Sequence, residues 1–394
     1  MAALAIGALW AMLVLYLLTR ALRQFRAHRL TALAAPPRPP QRAAVAIIVP
    51  VRNEIANIEP CLEGLEAQRG LGEGSSILFV DDNSADGTPA AIAGAIACGA
   101  PVRLAAAGAL PPGWMGKPHA CWRGAEQASA PWLCFIDCDV RIAPDLVAAA
   151  LATAARQRID MLSLRPFQEL GSFWERVVFP AGLIIIACAK ARRAARDRAA
   201  SEEMANGQFI LIRRDVYLRV GGHRAVRAEV CEDKRLAALV KEHGLRFRVF
   251  AAEHLARTRM YRDFNSLWEG FSKNAIDILG SARATLWAAA AGFLAGWCAL
   301  LLPGALAAAL WSAPSTPAAI GLGLALCGSG VAIGIQLATA RHLQIPAAYG
   351  LLCPLGCTVA AALACRSVLS HLTGRVTWKG RTYEIDRKVW LSRS

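Results

Sequence analysis

Carboxylates stand where three apolar runs stop. In "PWLCFIDCDV" (Pro131 to Val140) the run ends in Asp137 and Asp139, one residue apart. "SSILFVDDNSADGT" reaches Asp81 and Asp82, and "AVAIIVPVRNE" passes Pro50 to reach Arg52, Asn53 and Glu54. Carboxylates at the end of a buried strand are costly unless something pairs with them. Two such groups suit a hard divalent cation, which prefers oxygen ligands. Asp, Asn, Ser and Gly are equally the residues that open turns, and a D-x-D pair alone does not choose between these readings. Three acid-bearing ends in one chain weigh more than any one of them.

The elements that must position these groups are legible. Ala44 to Val49 and Ile77 to Val80 read as short buried strands, and Ile55 to Ala67 and Pro89 to Ala97 as helices. Apolar strands alternating with helices indicate an α/β fold, a mostly parallel sheet with helices on its faces. In such sheets ligands bind beyond the carboxyl ends of the strands. The three acidic ends then share one edge. If strand geometry persists through Asp137–Cys138–Asp139, both aspartates face one way and Cys138 faces into packing.

The chain has 394 residues, a net charge of +15 and 55% hydrophobic residues. The apolar excess lies at the two ends. Ala2 to Leu18 carries no charge and is followed by Arg20, Arg23, Arg26 and Arg29. A cleaved signal peptide has its charge before the apolar core, so this reads as an uncleaved anchor. The positive-inside rule then puts the middle of the chain in the cytosol. Thr285 to Leu310, Ala318 to Ala340 and Ile345 to Cys365 are further candidate spans. Three crossings would leave the tail outside, yet its Arg375, Lys379, Arg381, Arg387 and Lys388 favour the inside. Either one segment is re-entrant or the first comprises two half-spans. The basic excess beside the spans suits anionic lipid; with no nucleic-acid motif, no nucleic-acid partner is expected. The 12 cysteines form no zinc-type spacing and are expected as free thiols.

With these motifs the segment from Ala44 to Asn274 resembles the family 2 glycosyltransferases of GT-A fold. "VPVRNE", "VDDNSADGT" and "DCD" resemble three of the family's motifs, "ANGQFILIRRDVYLRVGGH" its acceptor-side strand and "VCEDKRLAALVKEHG" its E-D helix. "LPPGWMGKPHAC", "RMYRDFNSLWEGFSKN" and "GRVTWKGRTY" resemble a membrane-bound, lipid-glycosylating subgroup that includes carotenoid- and hopanoid-associated enzymes and, more distantly, ceramide glucosyltransferases. The resemblance implies transfer of a sugar from a nucleotide donor, a UDP-sugar by family frequency, with inversion at the anomeric carbon. A divalent metal, Mg²⁺ or Mn²⁺, would offset charge on the departing diphosphate. Asp139 is assigned as its direct ligand, with Asp137 beside it on metal or ribose. By analogy Asp81 or Asp82 binds the base, Glu54 lies near ribose and base, Pro50 belongs to the same donor-side strand end, and Lys117 approaches the donor. Asp233 is the candidate general base, with Glu232 as its neighbour; both also suit the first turn of a helix. Arg259 and Arg262 match the arginines of a Q/R-x-x-R-W motif that cradles pyrophosphate. The tryptophan position holds Asp263, and Trp268 follows five residues later.

Phe167, Leu170, Phe173, Trp174, Val177 and Val178 recur at helical spacing, as in a helix at a membrane interface or one buried in a core. Phe173, Trp174 and Trp268 are assigned to the acceptor and membrane side. The expected layout is an anchor (1–19), a basic proline-rich linker (20–43), a GT-A domain (44–284) with an interfacial helix (166–190), about three membrane helices (285–366) and a basic tail (367–394). The expected acceptor is a bilayer lipid such as a hopanoid or carotenoid, in the cytoplasmic membrane. A sphingolipid or glycerolipid acceptor is an alternative. The departure at Asp263 argues against a polysaccharide synthase, and the presence of Asp137, Asp139 and Asp233 against a scaffold or transporter with an inactive domain.

Overall fold

The computed structural model describes residues 1–27, 30–35, 42–194 and 205–384. Most of the proline-rich linker, the basic run past Ala194 and the tail's Arg387 and Lys388 lie outside the described residues. After helix α1 (Ala2–Ala27) the chain alternates through β1 (Val45–Val51), α2 (Ile55–Glu66), β2 (Ser76–Asp81), α3 (Thr88–Ala97), β3 (Arg103–Ala106), α4 (Gly116–Glu126), β4 (Trp132–Ile136), β5 (Val140–Ile142) and α5 (Leu146–Gln157). It continues with β6 (Met161–Arg165), β7 (Phe167–Gln168), α6 (Phe173–Ala194), β8 (Phe209–Arg213), α7 (Arg214–Arg219), α8 (Gly222–Ala225) and α9 (Glu232–Glu242). Strands β9 (Phe247–Ala251) and β10 (Ala256–Thr258) lead to α10 (Phe264–Leu279). Three long helices follow, α11 (Ala282–Ser312), α12 (Thr316–His342) and α13 (Cys353–Thr373), the last entered through a 3-10 turn at Ala347–Leu352. The hairpin β11 (Arg375–Trp378) and β12 (Arg381–Glu384) closes the described chain.

Seven strands form one sheet in the order β3-β2-β1-β4-β8-β6-β9, parallel except where β8 runs against β4 and β6. β1 is central, and its residues divide by parity. Val45, Ile47 and Val49 pack into one apolar layer, Ala46 and Ile48 into the other, as alternation across a pleat requires. A strand covered on both faces reads as a continuous apolar run. Pro50, which has no N–H to give, sits beyond the four-residue pairing of β1 with β4. A smaller sheet, β5-β10-β7, flanks the large one. Part of the segment expected as a linker joins the fold: Ala32 bridges Ala251, and Leu33 is fully buried.

Among the described residues, four segments are long and apolar enough to cross a membrane: 2–23, 282–312, 316–342 and 347–373. Their packing uses small residues that let backbones approach. Gly7 lies against Gly321, Gly328 lies against Trp10, and the Trp10 indole donates to Ser329 Oγ at 3.1 Å; α1 and α12 therefore run parallel. α11 is one continuous helix through Pro303, not two half-spans. The last segment behaves differently. Leu343 and Ile345, just after α12, pack with Leu170, Phe179 and Leu183. α13 then starts beside the middle of α11, where Gly296 meets Cys357 and Trp297 donates to Thr358 at 3.0 Å. It ends against α10, where Ser367 Oγ accepts from the Ile276 amide. The segment both begins and ends on the side of the αβ domain.

The expected helical run from Phe167 is corrected at its start. Phe167 belongs to β7 and Leu170 to a loop. The helix begins at Phe173 because Glu175 Oε2 accepts from the Gly171 and Ser172 amides, at 3.1 and 2.5 Å, while Ser172 Oγ accepts from the Glu175 amide. These reciprocal bonds satisfy amides that would otherwise lack partners at a helix start.

Candidate active site

The carboxyl edge of β1, β2 and β4 gathers the acids. β4 stops at Ile136, so Asp137–Cys138–Asp139 is a turn closed by the Val140 amide on the Asp137 carbonyl at 3.1 Å. The expectation that strand geometry carries both aspartates to one face is therefore corrected: chain reversal toward β5, not alternation, sets their directions. Cys138 is buried in the apolar core. Asp137 receives Lys117 Nζ at 2.7 Å, and the same ammonium reaches Glu232 at 3.1 Å. Among the described residues no cation forms a direct ion pair with Asp139, and its Oδ1 is buried without a hydrogen-bond partner. Burial, then the charges of Asp137 and Glu54, push its carboxyl up to about 7. Burial also raises Asp137, against the pull of Lys117.

The β1 and β2 ends are stitched together by turn chemistry. Asn53 and Asn83 both take positive φ, which asparagine tolerates. Ser84 Oγ accepts from the Asn53 amide at 2.9 Å, and Asn53 Oδ1 from the Ala85 amide at 2.8 Å. Asp81 accepts from the Ser84 amide, and Asp86 from the Ile55 and Thr88 amides. Asp82, 3% exposed, is free of that turn. It binds Arg381 of β12 through both oxygens, at 3.1 and 2.8 Å, while Glu54 pairs with Lys379.

Across the edge, Glu232 and Asp233 open α9 as first-turn acids. Asp233 Oδ2 accepts from the Gly207 amide and Oδ1 from the Lys234 amide, both at 2.7 Å. Burial, then the neighbouring Glu232 charge, push Asp233 up to about 6. Burial pushes Glu232 the same way, but Lys117 and Lys273 outweigh it and hold that acid ionised below the usual range. A Cβ on Gly207 would stand 3.0 Å from Lys117 Nζ and 3.3 Å from Asp233 Oδ2; glycine there lets lysine and carboxylate share one small volume. One ammonium thus links the D-x-D turn to the E-D helix.

The two arginines do not join this cluster. Arg259 pairs with buried Glu175 at 3.2 Å, tying β10 to the start of α6. Arg262 donates to Asn57 Oδ1 at 2.7 Å and to the Ala56 carbonyl. Asp263 caps α10, accepting from the Ser266 amide at 2.8 Å. Trp174, Phe264 and Trp268 make tilted ring contacts in series, with Phe173 edge-on to Trp174. Sequence reasoning missed Tyr261, buried and within electrostatic reach of Asp139, and Lys273, whose ammonium lies 4.5 Å from the Trp378 ring. It read Lys379 and Arg381 for topology and as part of a subgroup-like segment, not as site residues; no local spacing joins them to Glu54 and Asp82.

Among the described residues no group of three or more His, Cys, Asp or Glu is placed to hold a metal by itself. That fits a cation held by one or two carboxylates together with substrate phosphates and water. The orphaned, buried Asp139 Oδ1 beside Asp137 supplies the oxygen chemistry such an ion takes.

The mostly parallel sheet with acids gathered at its carboxyl edge is the GT-A-like fold of glycosyltransferases. A mannosyltransferase of Pyrobaculum calidifontis, whose structure was solved in complex with GDP-Man and Mn²⁺, superposes with a TM-score of 0.53 over 94% of this chain and 99% of its own, at 19% identity. Residues 46–217 match the family described as Glycosyl transferase family 2: the chain carries a domain of that family and is a glycosyltransferase. It is similar to the 4,4'-diaponeurosporenoate glycosyltransferase of Staphylococcus aureus strain MRSA252, at 24% identity over 367 residues, covering 88% of this chain and 89% of that protein. The protein of the same name in strain USA300 is 25% identical over 262 residues, covering 66% and 68%.

Proposed function

We propose that the protein moves a sugar from a nucleotide-diphosphate sugar to the hydroxyl of a membrane lipid, with inversion. The observation that carries this reading is the pairing, through Lys117, of a D-x-D turn holding an orphaned carboxylate oxygen with a raised carboxyl at Asp233. The names of the relatives support a carotenoid-like acceptor. A UDP-sugar donor rests on family resemblance alone. The new bond joins the acceptor oxygen to the anomeric carbon; the bond from that carbon to phosphate oxygen breaks, and the nucleoside diphosphate leaves with the electron pair. Asp233 takes the hydroxyl proton, at a pKa suited to a base working near neutrality. Lys117 holds Asp137 and Glu232 in place and favours the ionised form of each. Asp139 and Asp137 would hold Mg²⁺ or Mn²⁺, which supplies Lewis-acid stabilisation of the departing diphosphate. Asp82 and Glu54 lie on the nucleoside side. Phe173, Trp174 and Trp268 line the acceptor's approach along the interface helix α6.

In this reading α1, α11 and α12 cross the bilayer, and the 347–373 segment enters and leaves on the domain's side. The catalytic domain and the basic tail then share the cytosolic face. A polysaccharide synthase fits less well, because Asp263, at the tryptophan position of that motif, is used as a helix cap. The test is incubation of membranes containing the protein with labelled UDP- and GDP-sugars and a total lipid extract, followed by mass analysis. A new glycolipid from one donor is expected; label found only in polymer, or in nothing, would overturn the reading.

A further inference from the structure

The acidic edge is closed by a piece of chain from far away. Four carboxylates, Glu54, Asp82, Asp137 and Asp139, converge there, a poor reception for a diphosphate bearing the same sign. The hairpin β11–β12 brings two cations to meet them. Arg381 Nη1 binds both oxygens of Asp82, and a side chain on Gly116 would collide with Asp82, Arg381 and Tyr383, so the contact closes over the start of α4. Lys379 Nζ pairs with Glu54 and donates to the Arg52 carbonyl at 2.9 Å, while Arg52 Nε donates back to the Lys379 carbonyl at 3.3 Å. The hairpin tip is therefore stitched to the end of β1 by reciprocal bonds.

Its turn is unusual. Trp378 pairs with Arg381, leaving Lys379 and Gly380 as a two-residue loop, both at positive φ. Such turns favour Asn-Gly or Gly-Gly, and a long side chain at positive φ is uncommon. Strained backbone of this kind is kept where the side chain it aims is needed. Trp378 is braced by Lys273 on α10, so the tip is held from behind as well.

Resting on the functional reading above, we propose that Lys379 and Arg381 are ligands of the donor's diphosphate: the C-terminal hairpin forms a wall of the nucleotide site. An arginine fork offers five N–H donors and a lysine three. Arg381 gives Nη1 to Asp82 and also hydrogen-bonds with Tyr383, and the remaining N–H groups of its five-donor fork suit phosphate oxygens. The carboxylates orient the cations, and the cations offset the carboxylates when the anion arrives.

The test uses the full-length protein in detergent with Mn²⁺, titrated calorimetrically with UDP and with GDP. For whichever nucleotide binds, Lys379→Met and Arg381→Met should each weaken binding about ten-fold or more, the scale of a charge-assisted hydrogen bond. Arg375→Met, an equal loss of charge at an exposed position of the same hairpin, should stay within about two-fold. Unchanged affinity in both variants overturns the proposal. Tighter binding also overturns it, since the hairpin would then be a lid that excludes the donor. If Arg381→Met does not fold, Lys379→Met at the turn decides alone. Failure of the wild-type protein to bind either nucleotide defeats the functional reading itself, a result distinct from equal binding by variants.

Discussion

Replacing Asp233 by Asn removes the proposed base while keeping the shape of the side chain. Its two oxygens accept from separate amides, at 2.7 Å each, and Asn preserves one of those bonds with its carbonyl oxygen. The loop at Gly207 should therefore hold. General-base catalysis contributes about 10²–10⁴-fold, so Asp233→Asn should lower turnover by that factor while nucleotide affinity changes by less than about three-fold. The raised carboxyl gives a second signature. The base must be ionised, so with a pKa of about 6 turnover should rise with pH, being roughly half-maximal at pH 6 and roughly a tenth of maximal at pH 5. The assay is release of nucleoside diphosphate from the active donor, with lipid acceptor and Mn²⁺ both kept at saturation at every pH, across that range. Three results would refute the reasoning: turnover in the variant above a tenth of wild type, a flat profile in the wild type, as expected of an acceptor already ionised, or loss of donor binding along with turnover.

Asp139→Ala should abolish metal-dependent turnover with the protein still membrane-inserted. Because a ligating carboxylate must shed its proton, and this one is pushed up to about 7, wild-type Mn²⁺ affinity should rise about ten-fold per unit below roughly pH 7 and level off above it; a pH-independent affinity, read by electron paramagnetic resonance, would count against Asp139 as ligand. Gly270→Ala places a Cβ 2.4 Å from the Tyr261 ring, so destabilisation of about 1–3 kcal/mol is expected from thermal melts; an unchanged melting curve would show that α10 and Tyr261 move apart freely. A protease site added after Ser394 should be cut from the same side of sealed vesicles as one inserted at Gly99, an exposed position after α3; cleavage from opposite sides would mean that the 347–373 segment crosses.

The central strands were readable because burial on both faces leaves an uninterrupted apolar run and the acids mark its end. The place of Asp233 at a helix start was readable for a similar reason: a first-turn acid pair ahead of an amphipathic helix is a local pattern. What escaped was set by distant contacts. Nothing near Arg259 announces Glu175, which lies 84 positions away and serves first to start α6. Phe167 and Leu170 kept a helical period by chance, and Gly171 with the Ser172–Glu175 cap ended it. The hairpin cations lie about 300 residues beyond their partners, at separations of 325 and 299. Their net charge was visible, their address was not.

The αβ domain is not hung from the helices by one stretch of chain. α6 packs against α1, α11, α12 and α13 at once, and α10 leads without a break in packing to α13. A tilt of the domain would have to unpack several apolar seams together. In the proposed orientation the acidic edge would consequently stand at a fixed height above the bilayer, like a tool clamped over a bench. On that reading a lipid acceptor would be selected by how far its reactive oxygen rises from its apolar body, and the length of that body below would be left unmeasured.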